Sequence, residues 1–167
     1  VTINGILFHE GVPVNSRFGG LLEMRDSKPV RFVELIEYRG STLDPMEIFI
    51  KADMTNVRDL VRTGIGVVCV SFREVPSIAV DDIWRIEKNM KRHGLGGILA
   101  IGRPNQPLLD IPVSQGYSGM LVMGGLNPVA AIHEAGIQTS IWSLANLIDY
   151  GEFHTLEELR RLKKLPG

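Results

Sequence analysis

The stretch of this 167-residue chain best suited to chemistry is Asn15-Ser16-Arg17-Phe18-Gly19-Gly20. An arginine offers a forked pair of donors that fits a carboxylate, and consecutive glycines let backbone N–H groups approach an anion. Ser16 and Asn15 add a hydroxyl and an amide beside them. The same residues would also make a hairpin-like turn carrying a solvated arginine. A second loop, Gly102-Arg103-Pro104-Asn105-Gln106-Pro107, places Arg103 on a stiff, proline-rich connection. Two helix starts, Thr42-Leu43-Asp44-Pro45 and Gly124-Gly125-Leu126-Asn127-Pro128, expose unpaired N–H groups, although capping alone explains both. The second suits an anion better, because Asn127 adds no negative charge. Together these features make Ser16, Arg17, Gly19, Gly20, Arg103 and Asn127 the candidate binding residues for a small anionic effector.

Other chemistries find little support. There is no Gly-x-x-x-x-Gly-Lys phosphate loop, no Gly-x-Ser-x-Gly elbow and no His-Glu-x-x-His zinc helix. The four histidines are scattered. His9-Glu10 and His133-Glu134 are adjacent pairs whose side chains diverge, so no metal site and no cofactor are expected. The missing constellation disfavours a small-molecule enzyme, and a purely structural oligomerisation domain is the other competing reading. Lys and Arg number 18 against 19 Asp and Glu, for a net charge of -1. A module that grips nucleic acid alone would carry a basic excess. No apolar run approaches the ~20 residues needed to span a bilayer, and no signal peptide opens the chain. The single Cys69 sits in the apolar run Gly66-Val67-Val68-Cys69-Val70 and suits a buried thiol in a reducing cytoplasm.

The elements that must hold these residues read as an α+β fold. Val1 to Phe8 is β-rich and begins as though in mid-strand, as if cut from a longer protein. Gly19 to Arg25 and Val30 to Tyr38 are strands about the turn Asp26-Ser27-Lys28-Pro29. Asp44 caps a helix that opens on Pro45. Val67 to Phe72 is a buried strand, and Asp81 caps a helix whose Ile83, Ile86 and Met90 share one side, ending at Gly94. Gly96 to Ile101 and Tyr117 to Met123 are strands. A helix then opens at Asn127-Pro128 and ends at Ala135-Gly136, and Ile137 to Trp142 closes as a strand. The order from Gly64 is therefore βαββαβ, a ferredoxin-like two-layer sandwich over about 64–143.

Two stretches echo each other. Gly5-Ile6-Leu7 before Gly11 and Pro13 matches Gly97-Ile98-Leu99 before Gly102 and Pro104, and Leu43-Asp44-Pro45 matches Leu126-Asn127-Pro128. The organisation expected is a first, incomplete ββα unit over 1–63 and the ferredoxin-like unit over 64–150. A C-terminal amphipathic helix over 151–167 follows, led by the capping box Thr155 and Glu158 with Leu156, Leu159 and Leu162 on one stripe.

Across most of its length the chain resembles the regulatory domain of the archaeal nitrogen repressor family, NrpR. The likeness is carried by Gly11-Val12-Pro13-Val14-Asn15-Ser16-Arg17-Phe18-Gly19-Gly20-Leu21-Leu22-Glu23, by Glu37-Tyr38-Arg39-Gly40-Ser41-Thr42-Leu43-Asp44-Pro45, and by Met123-Gly124-Gly125-Leu126-Asn127-Pro128. Shorter pieces are Asn4-Gly5-Ile6-Leu7 and Gly96-Gly97-Ile98-Leu99. The resemblance implies a homodimeric repressor of nitrogen-assimilation genes, with 2-oxoglutarate as an effector that weakens operator binding. It also implies that DNA is contacted only by a separate winged-helix domain, which these residues do not contain.

Overall fold

The computed structural model describes residues 2–141 together with 147, 149–152, 154 and 158. It opens on a helix. α1 (Thr2–His9) sets Ile3, Ile6 and Leu7 on one side, with Leu7 fully buried. The β-rich composition of this stretch points to a strand, but the spacing of its apolar residues is helical, and a helix forms.

β1 (Asn15–Arg25) and β2 (Lys28–Glu37) form a hairpin closed by Asp26 and Ser27, both in the left-handed region at φ 50° and 57°. That pair of conformations matches the twist of antiparallel strands. β1 begins at Asn15, so Ser16, Arg17, Gly19 and Gly20 lie within a strand and not in the loop before it. After β2 come α2 (Pro45–Lys51) and α3 (Val57–Thr63). Asp44 caps α2 as its chemistry requires, accepting from Met46 N at 2.9 Å.

β3 (Gly66–Pro76) is the long central strand, followed by α4 (Val80–Arg92), β4 (Ile98–Ile101), β5 (Tyr117–Met123) and α5 (Asn127–His133). Asp81 lies in the first turn of α4 and the cap position belongs to Ala79, because a 3₁₀ turn at Ser77–Ala79 leads into the helix. The five strands make one antiparallel sheet in the order β2-β1-β3-β5-β4.

The order β3-β5-β4 with α4 is that of the ferredoxin-like arrangement, and the α+β class stands. The expected closing strand does not form: residues 137–141 carry no strand, and Trp142 lies outside the described residues. The reason is occupancy. The edge of β3 that such a strand would pair with is taken by β1 from Asn15 to Met24. Of the two echoed anchors, Asp44-Pro45 and Asn127-Pro128 both open seven-residue helices, whereas Gly5-Ile6-Leu7 is helical and Gly97-Ile98-Leu99 runs into a strand. The expected C-terminal leucine stripe, Leu156, Leu159 and Leu162, lies outside the described residues.

Strand alternation sorts the side chains. Ser71, Arg73 and Val75 of β3 share a face with Val122, Met120 and Ser118 of β5, their register partners. Leu7 and the α4 residues Ile83, Ile86 and Met90 pack on that face against Val75, Met120 and Val122. α2 lies over it too, since a side chain at Gly19, the partner of Ser71, would meet Pro45 Cβ at 2.7 Å. On the opposite face Phe72 is fully buried between the rings of Phe18 and Phe32, with centroids 6.2 and 6.1 Å away. α3 and α5 are joined by Glu134, which accepts from Thr55 Oγ1 and Val57 N at 2.8 Å and from Arg58 N at 2.9 Å.

Candidate functional site

Where α1, α2 and α4 meet above the sheet they leave a cavity of about 690 Å³, lined among others by Asn4, Ser16, Tyr38, Asp44, Ser71 and Arg73. That volume is in the usual range for small-molecule sites. Its floor is a continuous polar chain. Tyr38 Oη donates to Ser71 Oγ at 3.3 Å, Ser71 Oγ accepts from Arg73 Nε at 3.2 Å, and Arg73 Nη1 donates to Asn4 Oδ1. Asn4 Nδ2 in turn donates to Ser16 Oγ at 3.1 Å. Four separate pieces of chain therefore supply it: α1, β1, β3 and the residue after β2.

Arg73 is its centre. The residue is only 7% exposed, yet among the described residues no Asp or Glu oxygen lies within 4.0 Å of its guanidinium. Burial pulls the Arg73 pKa below its ordinary value, with Tyr38 opposing the shift. Arginine stays protonated through such shifts, so a positive charge is held out of water with no counter-ion among the described residues. A buried charge is normally paired, and one that is not lowers its energy by taking an anion. Burial also raises the Tyr38 pKa, helped by the Asp44 charge and opposed by the Ser71 hydroxyl, so the phenol stays a neutral donor.

A bulge sorts the residues of β1. Ser16 pairs with Arg73 and Phe18 with Phe72, which leaves Arg17 as the extra residue between them. Ser16 thus faces the cavity, while Arg17 turns to Glu74. Its Nη1 donates to Glu74 Oε1 at 2.9 Å and to Pro112 O at 2.8 Å, with the guanidinium 4.8 Å from the centre of the Phe18 ring. Glu74, 1% exposed, also accepts from Ser114 N at 2.8 Å and from Asn15 Nδ2 at 3.3 Å. Burial pushes its carboxyl up, but the Ser114 N–H and the Arg17 charge outweigh that and hold it below the usual value.

The remaining candidates are dispersed. Gly19 and Gly20 lie in a strand paired on both sides, where added side chains would strike Pro45 and Leu35 respectively. Arg103 is exposed in the loop after β4. Asn127 is 6% exposed, and its amide is spent on backbone: Oδ1 accepts from Cys69 N at 2.9 Å, and Nδ2 donates to Cys69 O at 2.8 Å and Gly124 O at 3.0 Å. Of the six, the structure brings only Ser16 to the cavity. Sequence reasoning passed over Asn4, Tyr38, Ser71 and Arg73. A signal for the last two was present: they are polar residues two apart, on one face of a strand that is otherwise apolar apart from Glu74. Among the described residues no three His, Cys, Asp or Glu side chains converge as a metal site would need. No described helix is long and apolar enough to cross a membrane.

Comparison with known proteins places this geometry in context. Residues 1–155 match the model for NrpR regulatory domains NRD1 and 2. The chain is 33% identical over 95% of its length to the global nitrogen regulator NrpRI of Methanosarcina mazei, covering 48% of that protein. It is 32% identical over 95% of its length to the global nitrogen regulator NrpR of Methanocaldococcus jannaschii, covering 27% of it. The chain thus spans about half or less of these relatives. Among solved structures, a nitrogen repressor-like protein from Methanococcus jannaschii superposes with a TM-score of 0.70 at 32% identity, over 86% of this chain and 59% of that one.

Proposed function

The chain belongs to the family of NrpR regulatory domains, and from that premise we propose that it senses a small anionic effector for a repressor of nitrogen-assimilation genes. It binds 2-oxoglutarate without turning it over, self-associates as a homodimer, and relays occupancy to a separate winged-helix domain that meets DNA. The observation that carries this reading is the buried guanidinium of Arg73 on the cavity floor, which meets no carboxylate among the described residues. A dicarboxylate needs a forked donor for one end and hydroxyl or amide donors near it, and Arg73 has Ser16, Tyr38 and Ser71 beside it.

Calorimetric titration of 2-oxoglutarate into the wild type, Arg73→Gln and Arg17→Ala tests it. Charge-assisted hydrogen bonds contribute ~1.5–3 kcal/mol each, so Arg73→Gln should weaken binding by about tenfold to a hundredfold. Arg17→Ala should bind as the wild type does. The reverse pattern, loss with Arg17→Ala and none with a folded Arg73→Gln, would move the site from the cavity to Arg17 and its surroundings.

A further inference from the structure

The same cavity holds a second charge, of the opposite sign, that no described residue pairs. Asp44 lines it from the start of α2. Its Oδ1 accepts from Met46 N at 2.9 Å, while Oδ2 takes no hydrogen bond from a described residue. No described basic group lies within 4.0 Å of it, Arg73 included. An acid and a base that share one enclosure would pair if they could reach each other. Here each is tied elsewhere. Arg73 is held on the sheet by Ser71 and Asn4, and Asp44 is held at the head of α2 by its cap. The cavity between them therefore presents one positive and one negative wall.

We infer that this cavity binds a zwitterionic α-amino acid, its carboxylate on Arg73 and its ammonium on Asp44. The inference rests on the reading of the cavity as an effector site. A plain oxo acid offers Asp44 only a keto oxygen, which is an acceptor facing an acceptor. The amino acid of the same carbon skeleton offers an ammonium donor at that position, and so gains a charge-assisted bond. Both ligands need Arg73 and cannot occupy it together. The domain then reads the balance between an oxo acid and its amino counterpart, and Asp44 is the residue that tells them apart.

The test is titration of the full-length protein and its Asp44→Asn and Arg73→Gln variants with L-glutamate, L-glutamine and 2-oxoglutarate. Asn caps a helix as well as Asp does, so Asp44→Asn changes the charge and keeps α2; thermal melts check that each variant folds. The expected result is that an amino acid binds and displaces 2-oxoglutarate. Asp44→Asn should then lose amino-acid affinity by about tenfold or more, and leave oxo-acid affinity equal or tighter. Arg73→Gln should weaken both. Amino-acid binding that survives Asp44→Asn overturns the inference. So does oxo-acid binding with no amino-acid binding, which leaves the effector reading intact. If neither ligand binds the folded wild type, the effector reading itself falls and takes the inference with it.

Discussion

At the scale of single residues, two arginines of this sheet show what a sequence can and cannot say about charge. Arg17 stands in a stretch that reads as an anion site, and it does hold a carboxylate, but one from the chain's own Glu74, 57 residues away. Nothing local distinguishes an internal acid from a ligand. Arg73 lies in a largely apolar strand and attracts no notice, yet it is buried with no carboxylate partner among the described residues, because only the folded sheet shows which acids come near. The Glu74 site yields its own prediction. A carboxyl whose folded pKa is depressed stabilises the fold above its unfolded pKa and loses that stabilisation as pH falls through the folded value. For Glu74 the loss therefore sets in below its ordinary value of 4.5. Glu74→Gln should cost about 1–3 kcal/mol at neutral pH, and the gap from wild type should narrow as the pH falls below 4.5. Urea unfolding across that range checks it, and a gap that does not change with pH would separate the cost from the charge.

At the scale of elements, what the sequence revealed were the ends. Asp44-Pro45 opening α2, Gly94 in the left-handed region after α4, and β5 from Tyr117 to Met123 were all legible from local chemistry. Two failures share a cause. For α1, β-branched composition suggested a strand while Ile3, Ile6 and Leu7 kept helical spacing, and packing against α4 decides between them. For residues 137–141 the composition suits a strand, but no sheet edge is open there. The junction of β5 with α5 shows how tightly elements are tied. The Asn127 amide grips Cys69 on both its N–H and its C=O, continuing the ladder where β5 has ended. Gly124 is what permits the approach, since its Cβ would lie 2.6 Å from Cys69 O and 2.9 Å from Met46 Sδ. Gly124→Ala should destabilise by about 1–3 kcal/mol through overpacking against backbone. Gly125→Ala, with nothing within 4 Å of the added carbon, should cost far less. Equal urea midpoints for the two variants would contradict this account of the junction.

At the scale of the whole molecule, the sheet's two outer strands are poor docking edges. β2 carries two irregularities, leaving Val30 and Val33 as extra residues, and Pro29 cannot donate; β4 is four residues long. Such features blunt strand addition. The homodimer we expect is therefore joined by side-chain surfaces and not by continuing the sheet. Sedimentation velocity should show a dimer that persists in a β2 variant carrying Val33→Lys; a monomer at every concentration would rule it out, and a dimer lost only in that variant would place the contact on the β2 edge. The antiparallel pairing of β1 with β3 has a further consequence, for how the chain is made. The hairpin of β1 and β2 closes on its own local turn, but Leu21 and Leu22 are fully covered only once β3 has arrived, with Cys69 and Val68 as their register partners. At the usual pace of synthesis, ~5–20 residues per second, a ribosome delivers β3 roughly 3–10 seconds after β1. For that interval the nascent protein presents a greasy half-sheet, and the charged, kinked outer strand β2 is what it has to keep other chains away.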